Sequence, residues 1–491
     1  MFYKNNYIFL SLEPINFAFL KSYHQTTKEK IYVRMRNKNF YLLLITLASA
    51  MGGFLFGYDW VVIGGAKPFY EVFFGITGSP VMQGWVMGSA ILGCLLGVMV
   101  SGGLSDRYGR KPLLTIAAAI FIVASIGTGA VNNITLFIVF RILGGVGVGI
   151  ASNLSPMYIA EVSPAAVRGR YVSINQLTIV LGILAAQLVN WLIAQPVSVG
   201  EDFLASWNGQ MGWRWMFWAC AAPAFLFFVT VFLIPESPRW LATRLRYEQA
   251  ESTFTRIGGS DYARNELEEI KSTMQKLRQK VTFGMLFEGR IPKILLIGIV
   301  IAAFQQWCGI NVIFNYAQEI FTAAGYGVSD ILFNIVVTGV TNVIFTFVGM
   351  YAVDRLGRRA LLLFGAAGLT CIYAILGACY YFQVTGFAVL CLVVAAIACY
   401  SMTLAPIVWV VLSELFPNRV RGMAMAVATF SLWTACFVLT YTFPLLNKGL
   451  GSYGTFWLYG AICVLGFIFI NTMLPETKGK SLEEIEKELM K

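Results

Sequence analysis

The chain has 491 residues, of which 58% are hydrophobic and only 12% are charged, and its mean hydropathy is +0.70. This composition excludes a soluble globular protein and indicates a polytopic membrane protein. The net charge of +11 does not indicate nucleic-acid binding, because most lysines and arginines lie in short segments between apolar runs.

Residues 1–39 are mixed polar, aromatic and basic, and we interpret them as a disordered N-terminal extension. Whether the protein starts at Met1 or at Met35 stays open, since the first apolar run follows Met35 closely. Twelve apolar runs are then long enough to span a bilayer. We place them near 41–65, 83–104, 113–130, 134–158, 170–194, 213–234, 293–323, 331–352, 360–381, 387–413, 421–446 and 454–474.

The loops between these runs alternate in charge. Basic loops lie at 105–112, 161–170, 235–292, 354–359 and 417–421, whereas the loops between them carry almost no basic residue. The positive-inside rule therefore predicts that the basic loops and both termini face the cytoplasm. The segment 236–291 mixes apolar and charged residues at helical spacing, which predicts short amphipathic helices. Whether they close the cytoplasmic mouth or only connect two domains stays open.

Three motifs occur twice, in the same order, at offsets of 240 to 253 residues. DRYGRK at Asp106 recurs as DRLGRR at Asp354, EVSPAAVRGR at Glu161 recurs as ELFPNRVRG at Glu414, and PESPRW at 235 is echoed by PETKG at 475. The repeat predicts an all-α membrane protein of two pseudo-symmetric six-helix bundles, 40–235 and 292–475, joined by the helical domain 236–291 and followed by a tail, 476–491. Parallel repeats of this kind place a substrate site between the halves.

Asp59 lies in the middle of the first apolar run, where a charge costs roughly 2.5–3.5 kcal/mol on insertion scales. Its candidate partner is Arg141, the only basic residue well inside a span of the first half. Burial favours the protonated form of an aspartate, and a nearby arginine favours the ionised form. A helix movement that changes the distance between the two would therefore make Asp59 bind or release a proton. The alternative is a static ion pair that joins two helices.

The segment FQQWCGIN carries three amides, at Gln305, Gln306 and Asn311, which suit a neutral ligand rich in hydroxyls. On an ideal helix the second and third lie about 140° apart, so they converge only if the helix is interrupted, and Gly309 permits this.

Further polar and aromatic residues complete a candidate sugar site, because indole rings cover the apolar faces of sugars. The fifth run has a polar stripe that begins at Gln176 and contains Gln187 and Asn190. The other members are Asn342, Trp409 and Trp433. Taken singly, each is also explained by core packing or an interhelical hydrogen bond.

The repeated motifs supply candidates for a cytoplasmic gate, since networks of ion pairs at helix ends can close in one state and break in another. These candidates are Asp106, Arg107, Arg110, Glu161, Arg168, Asp354, Arg355, Arg358, Glu414 and Arg421.

In their order, GYD, DRYGRK, RILGGVGVGIAS, PMYIAE, RGR, PESPRWL, QQWCGIN, DRLGRR and PETKG resemble the sugar porter family of the major facilitator superfamily. Among its members, bacterial D-xylose–proton symporters are the most similar in these motifs. The resemblance implies the major facilitator fold, alternating access and a proton-linked Asp59–Arg141 pair. It also implies sugar binding by Gln176, Gln305, Gln306, Asn311, Trp409 and Trp433.

Four positions depart from the xylose symporters. Ile183 replaces a second sugar-binding glutamine, Asn315 replaces the first of two tyrosines, and Leu432 replaces an amide beside Trp433. These three bear on which sugar fits. Cys220 replaces a glutamate, which argues against coupling schemes that need a second carboxylate.

We therefore expect a monomeric inner-membrane transporter that imports a neutral monosaccharide, D-xylose or a similar pentose or hexose, by proton symport. A uniporter that keeps the ion pair as structure is the alternative, and a non-transporting sugar receptor is less favoured because the tail is short. An enzyme is not expected, since the sequence has no nucleophile–base pair or phosphate-binding loop. No cofactor or metal site is expected either, because the cysteines form no CxxC pair.

Overall fold

The computed structural model describes residues 17–164, 167–195, 204–276, 283–417 and 420–478, and this part of the chain is helical almost throughout. The helices are α1 (Phe17–Phe73), α2 (Pro80–Tyr108), α3 (Arg110–Ala130), α4 (Ile134–Val162), α5 (Arg168–Ile193), α6 (Trp213–Ala219), α7 (Ala221–Leu233), α8 (Pro238–Thr243), α9 (Tyr247–Gly258), α10 (Ser260–Lys276), α11 (Ile291–Trp307), α12 (Ile310–Asn315), α13 (Ala317–Ala323), α14 (Val328–Leu356), α15 (Arg358–Tyr381), α16 (Phe387–Met402), α17 (Leu404–Leu415) and α18 (Arg421–Met473).

Within the described ranges, eleven helical segments are long and apolar enough to cross a membrane. The last of them, α18, has 53 residues, and at about 1.5 Å per residue it is more than twice as long as the roughly 30 Å hydrocarbon core. Its backbone is not helical at Gly451, where φ is 68° and ψ is 173°. Helix α18 therefore supplies two spans, and the fold is the predicted one of twelve spans in two six-helix halves.

Helix α1 is longer than the predicted first span at both ends. It begins at Phe17, so the backbone of residues 17–39 is helical, while residues 1–16 lie outside the described residues. The predicted span ends at 65, but the helix continues to Phe73 through Lys67 and Glu71. Because the predicted first span ends at 65 and the second begins at 83, the sequence placed these two charges in a loop, and this prediction was wrong. They are four residues apart and pair on one helix face, so the helix continues through them.

Glycines set the close packing of α2 against α4. A Cβ atom on Gly145 would lie 1.9 Å from the carbonyl oxygen of Ala90, and one on Gly93 would lie 2.0 Å from that of Ile142. Small residues at such contacts let two membrane helices approach at backbone distance. The glycine-rich run after Arg141 thus holds α4, and the arginine with it, against α2.

The linker between the halves contains α8, α9 and α10, and the predicted amphipathic helices are observed as α9 and α10. A small core around Trp240 and Phe254 holds them together. The linker contacts the first half, because Trp240 Nε1 and Arg244 Nη2 both donate to the carbonyl oxygen of Asp106, at 2.9 and 2.6 Å.

We call the side with the basic loops the basic side, and the other the opposite side. On the opposite side the halves are in close contact. A Cβ on Gly84 of α2 would lie 2.3 Å from the carbonyl oxygen of Tyr441 in α18, and one on Gly64 of α1 would lie 3.0 Å from that of Phe314 in α12. The molecule is therefore closed on the opposite side.

Candidate functional site

Asp59 and Arg141 form the ion pair that the sequence predicts. Arg141 Nη1 lies 2.7 Å from Asp59 Oδ1, and the exposed fractions of the two side chains are 3% for the arginine and 13% for the aspartate. The pair joins α1 to α4, and the ring of Phe217 lies 5.7 Å from the guanidinium. An unpaired charge this deep in an apolar bundle is costly, so each partner depends on the other for its counter-charge.

A small cavity adjoins this ion pair; it is lined mostly by the first half and is bordered by the second half at one residue. The first half contributes Asp59, Arg141, Trp60 and Cys94 to its lining, and the second half contributes Asn315. Asn315 is buried, and its Oδ1 has no hydrogen-bond partner among the described residues. The departure from the symporter pattern at this position therefore lies beside the ion pair.

The amides of the seventh span converge because the helix is interrupted where the sequence predicts. Helix α11 ends at Trp307, Gly309 has a φ of 87°, and α12 begins one residue later. Asn311 Nδ2 donates to Gln306 Oε1. Gln306 in turn donates from Nε2 to Gln305 Oε1, at 3.5 Å. The three amides thus form one chain of hydrogen bonds.

Gln305 also fixes a second helix break. Its Nε2 donates to the carbonyl oxygens of Leu404 and Ala405, at 3.1 and 3.3 Å, where α16 ends and α17 begins. The site therefore lies between two interrupted helices of the second half, where free backbone groups and amides are available to a polar ligand.

The other predicted polar residues are placed less uniformly. Asn342 accepts a hydrogen bond of 2.6 Å from Ser401 Oγ and so links α14 to α16. Gln176 is half-buried on α5. In the same stripe Asn190 Nδ2 donates to the carbonyl oxygen of Val62 at 3.1 Å, which makes this amide a packing contact between α5 and α1.

Trp433 is buried where the halves meet, whereas Trp409 is partly exposed. The Trp433 ring is buried, and its centroid is 5.6 Å from that of Phe56 and 6.0 Å from that of Trp60. Both partners belong to α1, so this aromatic cluster joins the halves next to Asp59. Trp409 on α17 is 38% exposed.

Three departures from the symporter pattern remain to be placed in the structure. Ile183, Leu432 and Cys220 are all buried.

On the basic side, the two halves repeat one arrangement of ion pairs. Arg110 Nη2 lies 2.9 Å from Glu161 Oε1, and Arg358 Nη2 lies 3.1 Å from Glu414 Oε1. Asp106 is 3.6 Å from Arg110. Each of these pairs stays within its own half, so none of them holds the basic side closed.

The other predicted gate residues make different contacts. Arg421 Nε donates to the carbonyl oxygen of Phe416 at 3.2 Å. Arg107 and Arg355 lie over the rings of Tyr108 and Tyr351. Arg168 is half-buried at the start of α5, and the side chain of Asp354 lies outside the described residues.

Two glutamates of the third repeated motif were not among the predicted site residues. Glu236 Oε1 accepts from the backbone N–H of Arg110 at 3.0 Å, and Glu476 Oε1 accepts from that of Arg358 at 2.9 Å, so each caps the helix that carries the arginine. Burial alone would raise the pKa of Glu476, but the backbone N–H donors around it lower its pKa below the ordinary value. The recurrence of PES and PET was the signal for this role.

Lys67, Glu71 and Glu319 form a second charge cluster, on the opposite side, in which the lysine and Glu71 are buried and the Glu319 side chain is 27% exposed. Lys67 Nζ lies 2.8 Å from Glu71 Oε1 and is also hydrogen-bonded to Glu319 of α13. The charges four residues apart, at 67 and 71, were the signal for it in the sequence.

Residues 45–489 match the family described as Sugar (and other) transporter. The chain is 37% identical over 448 residues to the arabinose–proton symporter of Bacillus subtilis strain 168, covering 91% of this chain and 95% of that protein. It is 37% identical over 476 residues to the D-xylose–proton symporter of Escherichia coli K12, with the same coverage. The solved inward-open conformation of the E. coli xylose transporter matches with a TM-score of 0.80 at 35% identity, covering 91% of this chain and 100% of that one.

Proposed function

We propose that this chain, which belongs to the sugar (and other) transporter family, imports a neutral monosaccharide together with a proton by alternating access. The observation that carries the proposal is the buried Asp59–Arg141 pair beside a small cavity that the second half borders at Asn315. The symporters named above, one for arabinose and one for D-xylose, support the same reading.

The coupling follows from the chemistry of the pair. Arg141 keeps its charge, so only Asp59 can exchange a proton. When Asp59 takes up a proton its attraction to Arg141 is lost, and α1 is then free to move relative to α4. Proton binding thereby changes the relative stability of the two conformations, as symport requires.

Sugar recognition is assigned to the amides and the aromatic cluster. Gln305, Gln306 and Asn311 hydrogen-bond one another. A sugar hydroxyl can replace these contacts without leaving a buried polar group unpaired. Trp433 offers a ring face to the apolar side of the sugar. The remaining predicted binders are Gln176, Asn342 and Trp409.

The basic side is assigned to the cytoplasm, with both termini, in the inner membrane of the cell. The closed opposite side is then the outer side, and the structure corresponds to an inward-facing state. We place the two halves at 40–235 and 292–475 and the linker at 236–291. We also propose that in the other state the charged residues of the basic side pair between the halves and close the cytoplasmic mouth.

Two measurements test this function. Sugar added to energy-depleted cells that express the protein raises the pH of a weakly buffered medium if a proton enters with the sugar, and leaves the pH unchanged if the protein is a uniporter. Competition of unlabelled pentoses and hexoses against labelled D-xylose identifies the sugar. Specificity is assigned to Ile183, Asn315 and Leu432, so substitutions there are expected to reorder the competition series.

A further inference from the structure

One cluster of charged side chains joins the two halves away from the coupling pair. It consists of Lys67 and Glu71 on α1 and Glu319 on α13. Of the ion pairs between described residues, Lys67–Glu319 is the one that links the first half to the second. Lys67 is 1% exposed, so its ammonium depends on these two carboxylates rather than on water.

Besides the two carboxylates, an aromatic ring and an amide surround the cluster. The ring of Tyr316 lies 5.5 Å from Lys67 Nζ, and Gln83 Nε2 donates to Glu71 Oε2 at 3.0 Å. The other cation at this level is Lys448, which is exposed and makes no ion pair among the described residues. If the halves separate here, Lys67 keeps Glu71 but loses Glu319, and a buried charge with too few partners is costly.

The position of the cluster is that of a closing contact. It lines a vestibule on the outer side, together with Gln318, Pro444 and Lys448. Deeper in the bundle lies the cavity that contains Asp59 and Cys94. Helix α13 has only seven residues, and the backbone leaves helical geometry at Tyr316, with φ of −124° and ψ of 27°. Such a break allows α13 to move as a short unit relative to α12.

We propose that Lys67, Glu71 and Glu319 form the outer latch of the transport cycle. While Lys67 binds Glu319 the outer side is closed, and separation of the two opens a path from the vestibule to the central cavity. The three act as positioning residues, because they bias the conformational equilibrium without contacting sugar. The inference rests on the proposed function only for the alternation of access, and it requires neither proton coupling nor a particular sugar.

The test measures access from outside to Cys94, which is buried in this structure. Intact cells are treated with a membrane-impermeant maleimide without sugar, and labelling of Cys94 is quantified by mass spectrometry of its peptide. Glu319→Gln keeps the shape of the side chain and removes its charge. Lys67→Met removes the cation. Lys448→Met removes a cation from the same vestibule and is the matched control.

The latch predicts labelling about tenfold faster in Glu319→Gln and Lys67→Met, since loss of an ion pair whose ammonium is buried shifts a two-state equilibrium by about this factor. Lys448→Met should label at the wild-type rate. The charge exchange Lys67→Glu with Glu319→Lys again places one ammonium between two carboxylates, and it should restore slow labelling.

Glu319→Gln is decisive if Lys67→Met fails to accumulate in the membrane. Wild-type labelling in a folded Glu319→Gln protein overturns the latch, and so does fast labelling in the charge exchange. If the pH of the medium does not change with sugar while the labelling results hold, the symport proposal fails and the latch stands.

Discussion

Asp59→Asn separates the two roles that the buried ion pair can have. The substitution keeps the size of the side chain but leaves Arg141, which is 3% exposed, without a counter-charge. Removing one partner of a buried ion pair typically costs about 3–5 kcal/mol. Because the Asp59 side chain is 13% exposed and partly hydrated, we expect the low end of that range, about 3 kcal/mol of the free energy of unfolding.

The double variant Asp59→Asn with Arg141→Gln removes both charges and should recover most of the lost stability. Chemical denaturation of the purified proteins in detergent measures this difference. Neither variant should accumulate sugar against a gradient, whereas exchange of labelled for unlabelled sugar across the membrane should persist in the double variant. Sugar accumulation by Asp59→Asn as strong as in wild type would refute the coupling role. Unchanged stability of the single variant would refute the energetic reasoning.

Three further outcomes are expected. Gly145→Val should prevent folding, because its Cβ would meet a backbone oxygen of α2 at 1.9 Å. Gly169→Ala is the control, because a Cβ there would meet open space, and this variant should elute like the wild type in size-exclusion chromatography. Asn311→Leu should raise the KM for sugar about 10- to 100-fold in uptake assays, since it unpairs a buried amide that the sugar also uses. The pKa of Glu476 is lower in the folded than in the unfolded protein, so the ionised carboxylate stabilises the fold. This stabilisation should be complete above the unfolded pKa and should be lost as the pH falls through the folded pKa. Glu476→Gln should therefore flatten the acid side of a plot of stability against pH.

Much of the fold follows from the sequence because a bilayer accepts few structures. The apolar runs had to form helices, since unpaired backbone groups are not tolerated in lipid, and their lengths were set by the thickness of the membrane. The duplicated motifs at Asp106 and Asp354 then indicated two halves. The end of α1 was misplaced because hydropathy scores each charge alone and overlooks a pair such as Lys67 and Glu71.

The candidate site was only partly predictable. The Asp59–Arg141 pair followed from the scarcity of charges within the spans, and the break at Gly309 followed from helical geometry. The partners of the two glutamates on the basic side, Glu161 and Glu414, could not be predicted. Each has an arginine seven residues later in the sequence, Arg168 or Arg421, which was an equally plausible partner. The fold instead pairs them with Arg110 and Arg358.

By itself, the sequence determined the class of protein, the number of spans, the two halves and the charges that need partners. They follow from hydropathy, from repeated motifs and from the cost of burying a charge, all of which depend only on the order of residues in the chain. Only the tertiary structure decided which side of the molecule is closed and that Lys67 reaches across to Glu319. Such contacts join residues about 250 positions apart, and no local pattern records the distance between them.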